Sequence, residues 1–205
     1  YDALLTAKMS KESYQKLVAL ENQKLYDFIG HFVELCEPDS VFFADDSDED
    51  AELIRKKAIT LGEEAELAKP GQTVHYDGYN DQARDKANTK FLVKKEKLAR
   101  MGNLNCTEYE EGIGEIYDFM AGIMRGKEAI VKLFCECPPM SPFTIGCAQI
   151  TDSFYVSHSE DMLYRRGYQH FMQMEDKDDF FRFIHSASEL DANGNSVNLD
   201  KRRIY

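Results

Sequence analysis

The run Ala129-Ile130-Val131-Lys132-Leu133-Phe134-Cys135 places the firmest limit on how this chain folds. Branched and aromatic side chains suit a pleated, buried surface, so the run reads as a strand inside a sheet. A rigid loop follows in Pro138-Pro139-Met140-Ser141-Pro142-Phe143, and residues 145–150 and 154–156 read as two more strands. Upstream, Val41-Phe42-Phe43-Ala44, Thr73-Val74-His75-Tyr76 and Phe91-Leu92-Val93 are further strand segments.

Helical patterns lie between them. Ser10 caps a helix expected to run to about Cys36, with Leu17, Leu25, Phe28, Ile29 and Phe32 on one apolar face and Pro38 just beyond its end. Ser47 with Asp50 makes a capping-box pattern for a helix to Leu61, closed by Gly62, and Thr107 with Glu110 makes another for a helix through Met120. Helices are also expected near residues 159–166 and 178–185, with a turn at 191–194. Strands and helices thus alternate along the whole chain, which predicts an α/β fold with a mixed β-sheet flanked by helices. Residues 1–75 read as a helical N-terminal segment with a short strand and a second helix, and residues 76–205 as an α/β lobe.

Hydrophobic residues make up 43% of the 205, enough to bury a core, and this excludes wholesale disorder. Lys and Arg number 25 against 37 Asp and Glu, a formal charge of −12 that repels phosphate backbones and argues against nucleic acid as a partner. No apolar run nears the roughly 18 residues of a membrane span. The five cysteines (36, 106, 135, 137 and 147) are odd in number and lack framework spacing, so reduced thiols in a cytoplasmic protein are expected. The chain opens without Met or a signal-peptide pattern, and Lys201-Arg202-Arg203-Ile204-Tyr205 reads as the entry to another strand. A piece of a longer protein is the expectation.

Several chemical motifs fail on inspection. The acidic run Asp45-Asp46-Ser47-Asp48-Glu49-Asp50 puts Ala51 where a calcium loop turns on Gly and Lys57 where it needs Glu, so helix N-terminal charge is the better reading. A calcium loop started at Asp191 ends on Arg202 and fails in the same way. Gly126-Lys127 is followed by Glu128, and Ala121 stands where a phosphate loop has its first Gly. Gly112-Ile113-Gly114 lacks a third glycine and lies within an expected helix. Cys135 and Cys137 have no second Cys or His pair at zinc spacing. What remains is the polar, aperiodic stretch 77–88, a loop containing Gln82-Ala83-Arg84-Asp85-Lys86. The forked guanidinium of Arg84 suits bidentate binding of a carboxylate or phosphate, although residue type alone favours an ordinary surface arginine.

Read in order, these segments resemble the N-terminal lobe of the GTP-dependent phosphoenolpyruvate carboxykinases. Gln149-Ile150-Thr151-Asp152-Ser153-Phe154-Tyr155-Val156 is similar to the family's Q-L-T-D-S-x-Y-V, and Ile145-Gly146 precedes it. Met162-Leu163-Tyr164-Arg165-Arg166-Gly167 resembles I-M-T-R-x-G, and residues 180–186 resemble F-x-x-x-x-H-S. Gln82-Ala83-Arg84 resembles a V-A-R element, and Met101-Gly102-Asn103-Leu104 a Q-L-G-N-W element with Leu in place of Trp. The likeness runs from about residue 80 to the end, while the first 75 residues match only as a helix and a strand.

This resemblance implies a carboxy-lyase of gluconeogenesis that turns oxaloacetate and GTP into phosphoenolpyruvate, GDP and carbon dioxide. It implies a substrate-binding lobe in which Arg84 binds the substrate carboxylate. No catalytic, nucleotide-binding or metal-binding residue carries over, because those motifs lie beyond residue 205. Mn2+ or Mg2+ and GTP would belong to the full-length enzyme, none of them held by residues of this chain. Oxaloacetate or phosphoenolpyruvate and a C-terminal nucleotide-binding domain are the implied partners, and the lobe alone is expected to be inactive. The alternative is a non-catalytic acidic binding or regulatory domain of shared ancestry.

Overall fold

The computed structural model describes residues 1–76 and 89–189, together with the backbone of Arg203 and Ile204. The chain begins with α1 (Asp2–Lys8), α2 (Lys11–Val18) and α3 (Gln23–Cys36), followed by β1 (Ser40–Phe43) and α4 (Asp48–Thr60). The hairpin β2 (Ala65–Glu66) and β3 (Thr73–Val74) comes next. After the undescribed stretch, β4 (Phe91–Val93), a 3-10 turn over Lys95–Arg100, β5 (Cys106–Glu108) and α5 (Tyr109–Met120) form a side layer in which β4 and β5 pair in parallel. The second half contains β6 (Glu128–Glu136), β7 (Ile145–Thr151), α6 (Phe154–Leu163), β8 (Arg165–Arg166), α7 (Tyr168–Gln173), β9 (Phe180–Ser186) and β10 (Arg203–Ile204).

One mixed sheet organises the molecule, in the order β1-β6-β7-β9-β10. β6 pairs antiparallel with β7 along its length, and its other edge is shared by β1 at residues 128–131 and by β8 at 134–135. β7 and β9 run parallel, and β10 closes antiparallel on the end of β9. The fold is α/β with a mixed sheet between helices, as the sequence implies.

Strand alternation divides the core into two faces. Val131, Leu133, Ala148, Ile150 and Ile184 meet Leu5, Leu17, Leu25, Ile29 and Phe171 from α1, α2, α3 and α7. On the opposite face Ile130 packs with Ile54 and Ala58 of α4 and Phe154 of α6. Cover on both faces is why β6 reads as a nearly continuous apolar run.

The structure corrects several expectations. The single helix from Ser10 to Cys36 is two helices. Ser10 does cap, accepting from Ser13 N at 3.1 Å, but Glu21 takes a left-handed φ of 49° and Asn22 begins a new helix by accepting from Leu25 N at 2.9 Å. Apolar residues of both helices enter one core cluster, so the hydrophobic pattern continues across the break. The α5 cap is Glu108, the last residue of β5, whose carboxylate accepts from Glu111 N at 3.1 Å, rather than Thr107 one residue earlier. The strand expected over 154–156 is the first turn of α6, which ends at Leu163 instead of continuing to 166. The helix expected over 178–185 is β9, because the edge of β7 recruits this segment as a parallel strand. Cys137 sits exposed past the end of β6, while Cys135 is buried, and all five cysteines are free. The turn expected at 191–194 lies outside the described residues.

Candidate functional site

The site is built where β7 ends and α6 begins. Thr151-Asp152-Ser153 forms this corner, and its side chains hold one another. Ser153 Oγ accepts from Val156 N at 3.2 Å, capping α6, and donates to Glu63 Oε2 at 2.7 Å. The same Glu63 oxygen accepts from Tyr155 N at 2.8 Å, so a carboxylate from just past the end of α4 sits at the positive end of α6. Burial pushes the Glu63 carboxyl above its ordinary range, while its hydrogen bonds pull in the other direction.

Asp152 is the centre of the corner. Its side chain is fully buried, accepting from Lys127 Nζ at 2.8 Å and Ser186 Oγ at 2.6 Å on Oδ2, and from Ala187 N at 2.8 Å on Oδ1. Thr151 Oγ1 accepts from Ser153 N at 3.1 Å and lies 2.9 Å from His185 Nδ1. Thus Thr151-Asp152 on β7 and His185-Ser186 on β9 join side chain to side chain at one end of the sheet.

Two further contacts tie this corner to the β2–β3 hairpin. The His75 ring stacks on Tyr155 with centroids 3.6 Å apart, and His75 Nδ1 lies 2.6 Å from the Glu63 carbonyl oxygen. His158 Nδ1 lies 2.7 Å from Glu64 Oε1. Beside the corner opens a cleft of about 920 Å3, lined by Leu53, Lys57, Leu61, Lys127, Asp152 and Phe154. Lys57 pairs there with Glu128 and lies 5.1 Å from the Phe154 ring centroid.

Arg84, the residue singled out for a substrate carboxylate, lies outside the described residues. Sequence reasoning identified the corner motif without its partners. It does not single out Glu63 and Glu64, and it weighs Lys127 only as a phosphate-loop lysine and His75 only as a strand residue, because Ser153, Tyr155, His158 and Asp152, which they meet, lie 25 to 94 residues away in no recognisable spacing. The acidic run 45–50, rejected as a calcium loop, acts as a set of caps and ion pairs. Asp46 accepts from Tyr168 N and Gln169 N, each at 2.8 Å, and Asp45 and Asp50 hold Lys16 at 3.1 and 2.7 Å. Among the described residues no group of three or more His, Cys, Asp or Glu side chains is placed to hold a metal ion. The side chains of Thr151, Asp152 and Ser153 are thus engaged with one another's backbone, with Glu63 and with β9, and the corner orders backbone.

The fold defines the class: an α/β domain built on one mixed sheet, whose parallel strands β7 and β9 are joined side chain to side chain at the Asp152 corner. The family model for the phosphoenolpyruvate carboxykinase N-terminal domain matches residues 27–205, and the chain belongs to that family. It is 49% identical over 197 residues to the phosphoenolpyruvate carboxykinase [GTP] of Pyrococcus horikoshii, covering 96% of this chain and 31% of that protein. The Thermococcus kodakarensis protein of the same name is 48% identical over the same shares. That of Saccharolobus solfataricus is 38% identical over 96% of this chain and 30% of its own length. The chain spans about a third of the length of these curated relatives.

Proposed function

We propose that this chain is the substrate-binding lobe of a GTP-dependent phosphoenolpyruvate carboxykinase, a cytoplasmic carboxy-lyase converting oxaloacetate and GTP into phosphoenolpyruvate, GDP and carbon dioxide. The observation that carries the reading is the 49% identity, over 96% of the chain, to a protein of that name. Residues 76–205 form the oxaloacetate- or phosphoenolpyruvate-binding lobe, and residues 1–75 supply its flanking helices and edge strand. Neither nucleic acid nor a membrane is a partner in this reading, and no described helix is long and apolar enough to cross one.

Arg84 binds a substrate carboxylate through its two-pronged guanidinium, which orients a small dianion without moving a proton. The His75–Tyr155 stack fixes the end of the β2–β3 hairpin against the first turn of α6, next to the Asp152 corner. A divalent cation, Mn2+ or Mg2+, supplies charge neutralisation at the transferred phosphoryl group when bound. The described residues do not fit as its ligands. GTP and the metal are assigned to the C-terminal nucleotide-binding domain of the full-length polypeptide.

The test follows GTP- and manganese-dependent loss of oxaloacetate, with GDP and phosphoenolpyruvate quantified, for the full-length polypeptide and for this chain. Turnover by the first and none by the second is expected. No turnover by the full-length polypeptide would favour the acidic binding domain. Arg84→Ala in the active polypeptide is expected to raise the KM for oxaloacetate at least tenfold and leave that for GTP within twofold. Unchanged oxaloacetate kinetics would remove Arg84 from the site.

A further inference from the structure

Residues 90–100 gather cations in a chain whose total formal charge is −12. Lys90, Lys94, Lys95, Lys97 and Arg100 stand there against the one carboxylate of Glu96. Lys90 pairs with Glu115 of α5 at 3.1 Å. Lys94, Lys95, Lys97 and Arg100 are exposed, and among the described residues no carboxylate pairs with any of them. A 3-10 turn has three residues per turn and rises about 2 Å per residue, so Lys97 and Arg100 eclipse one another about 6 Å apart, with Lys94 at the head of the same row. Like charges at this spacing repel. Elsewhere Lys16, Lys57, Arg125, Lys127 and Lys132 each face a carboxylate. The row at 94–100 has none, and its positive potential is open to an anion from solution.

The row is tied down at its base. Asn105 Nδ2 donates to the Thr89 carbonyl at 2.9 Å, and Phe91 N donates to the Asn105 carbonyl at 2.8 Å. Thr89 follows Arg84 by five residues, a length of chain that spans no more than about 18 Å. Oxaloacetate and phosphoenolpyruvate are both multiply charged anions, and they approach a chain of this net charge against its field. A local row of cations reverses the sign of the potential on their path, and focusing of this kind raises association rates by about 10- to 1000-fold. The charge of the whole chain opposes any long polyanion, so small anions are the occupants the row fits. We infer that Lys94, Lys95, Lys97 and Arg100 gather the small carboxylate and phosphate anions of the reaction onto this lobe. The four act through their field and orient no atom of the substrate. This rests on the reading of the chain as the substrate lobe of a carboxykinase.

Initial rates of the full-length polypeptide test it, at about 20 mM and about 500 mM sodium chloride, where the Debye length falls from about 20 Å to about 4 Å. Lys94→Gln, Lys95→Gln, Lys97→Gln and Arg100→Gln combined are expected to lower kcat/KM for oxaloacetate about fivefold at low salt, through KM, and to leave kcat within about twofold. At high salt the variant and the parent are expected to agree. A second set, Lys94→Arg, Lys95→Arg and Lys97→Arg, keeps the charge and is expected to keep the parent's kinetics and salt dependence. Melting temperatures within a few degrees of the parent control for folding. The pair Lys95→Gln and Lys97→Gln, with about half the loss on a logarithmic scale, serves if the full set melts early. A loss that persists at high salt, a loss carried by kcat, or an equal loss in the arginine set would show a structural role and overturn the inference. Turnover that the glutamine set leaves unchanged at low salt overturns it too, and leaves the proposed function standing. Where the parent shows no turnover, calorimetric binding of phosphoenolpyruvate decides. Binding weakened about fivefold by the glutamine set at low salt keeps the row and defeats the carboxykinase reading, and no such weakening overturns both.

Discussion

Ser186 donates its hydroxyl to Asp152 Oδ2 at 2.6 Å, across 34 residues of sequence and between the ends of two parallel strands. The carboxylate it meets is fully buried and also holds Lys127 and the Ala187 amide. A buried charge is tolerated only when every oxygen is occupied, so this cluster locks β7, β9 and the entry to β6 into one geometry. Asp152→Ala would leave the Ser186 hydroxyl and the Ala187 amide without their acceptor and Lys127 with only the Ser188 carbonyl, and is expected to cost about 3 kcal/mol. Ser186→Ala removes one donor and is expected to cost about 1–2 kcal/mol. Urea unfolding of the chain followed by circular dichroism measures both. Equal, small losses would show that the corner contributes little to stability.

Lys132 stands in the middle of the apolar β6 run, 2% exposed, paired with Asp161 of α6 and with its ammonium 5.5 Å from the Phe134 ring centroid. Burial drives its pKa down, and Asp161 opposes that shift. Removing one member leaves the other buried and unpaired, so Asp161→Leu alone is expected to cost about 3–5 kcal/mol. Lys132→Met combined with Asp161→Leu replaces the pair with apolar volume and is expected to fall within about 1 kcal/mol of the parent. A double-mutant cycle in urea decides it. Two single losses that simply add would show the groups to be independent.

Much of this fold was legible because it rests on local signals. The run at 129–135, the caps at Ser10 and Ser47 and the strand at 91–93 each declare themselves within a few residues. What failed depended on distant partners. Phe180-Phe181-Arg182-Phe183-Ile184-His185-Ser186 reads in the sequence as part of a helix, and it is the distant edge of β7 that makes it a strand. Phe154 and Tyr155 look like strand residues, yet Glu63, some 90 residues earlier, takes the Tyr155 amide and turns the segment into a helix. The corner of the candidate site was visible as a motif, but the groups completing it were not. No spacing rule links Asp152 to Lys127 or Tyr155 to His75.

Glu160 makes the chain's stability depend on pH in a definite direction. It is packed between Gln149, which donates to it at 2.5 Å, Lys132 and Asp161, and burial pushes its carboxyl up to about 7 from an ordinary 4.5. Between those two values the folded protein keeps a proton that the unfolded chain releases, so this group makes stability fall as pH rises through the window. Glu160→Gln removes the effect and keeps an acceptor for Gln149. The variant is expected to match the parent near pH 4 and to exceed it by about 1–3 kcal/mol at pH 8, an upper range set by the size of the shift. The difference between the two urea-derived stability curves isolates this group from the histidines. A difference independent of pH would place the titration elsewhere.

Two glycines should respond to alanine with opposite signs. Gly167 links β8 to α7 and donates to the Leu133 carbonyl at 2.9 Å, so close to β6 that a Cβ there would lie 2.7 Å from the carbonyl carbon of Phe134 and 2.8 Å from its oxygen. Backbone cannot yield as a side-chain tip can, and Gly167→Ala is expected to cost about 2–3 kcal/mol. Gly114 lies exposed within α5, on an ordinary helical backbone, with nothing within 4 Å of where an alanine methyl would sit. Alanine there restricts the unfolded chain without a clash, so Gly114→Ala is expected to gain about 0.5–1 kcal/mol. Thermal melts of the two variants beside the parent would place one well below it and the other slightly above. A tolerated Gly167→Ala would mean that β8 and α7 can move away from β6, and that the loop between them is free of the constraint its backbone distances impose.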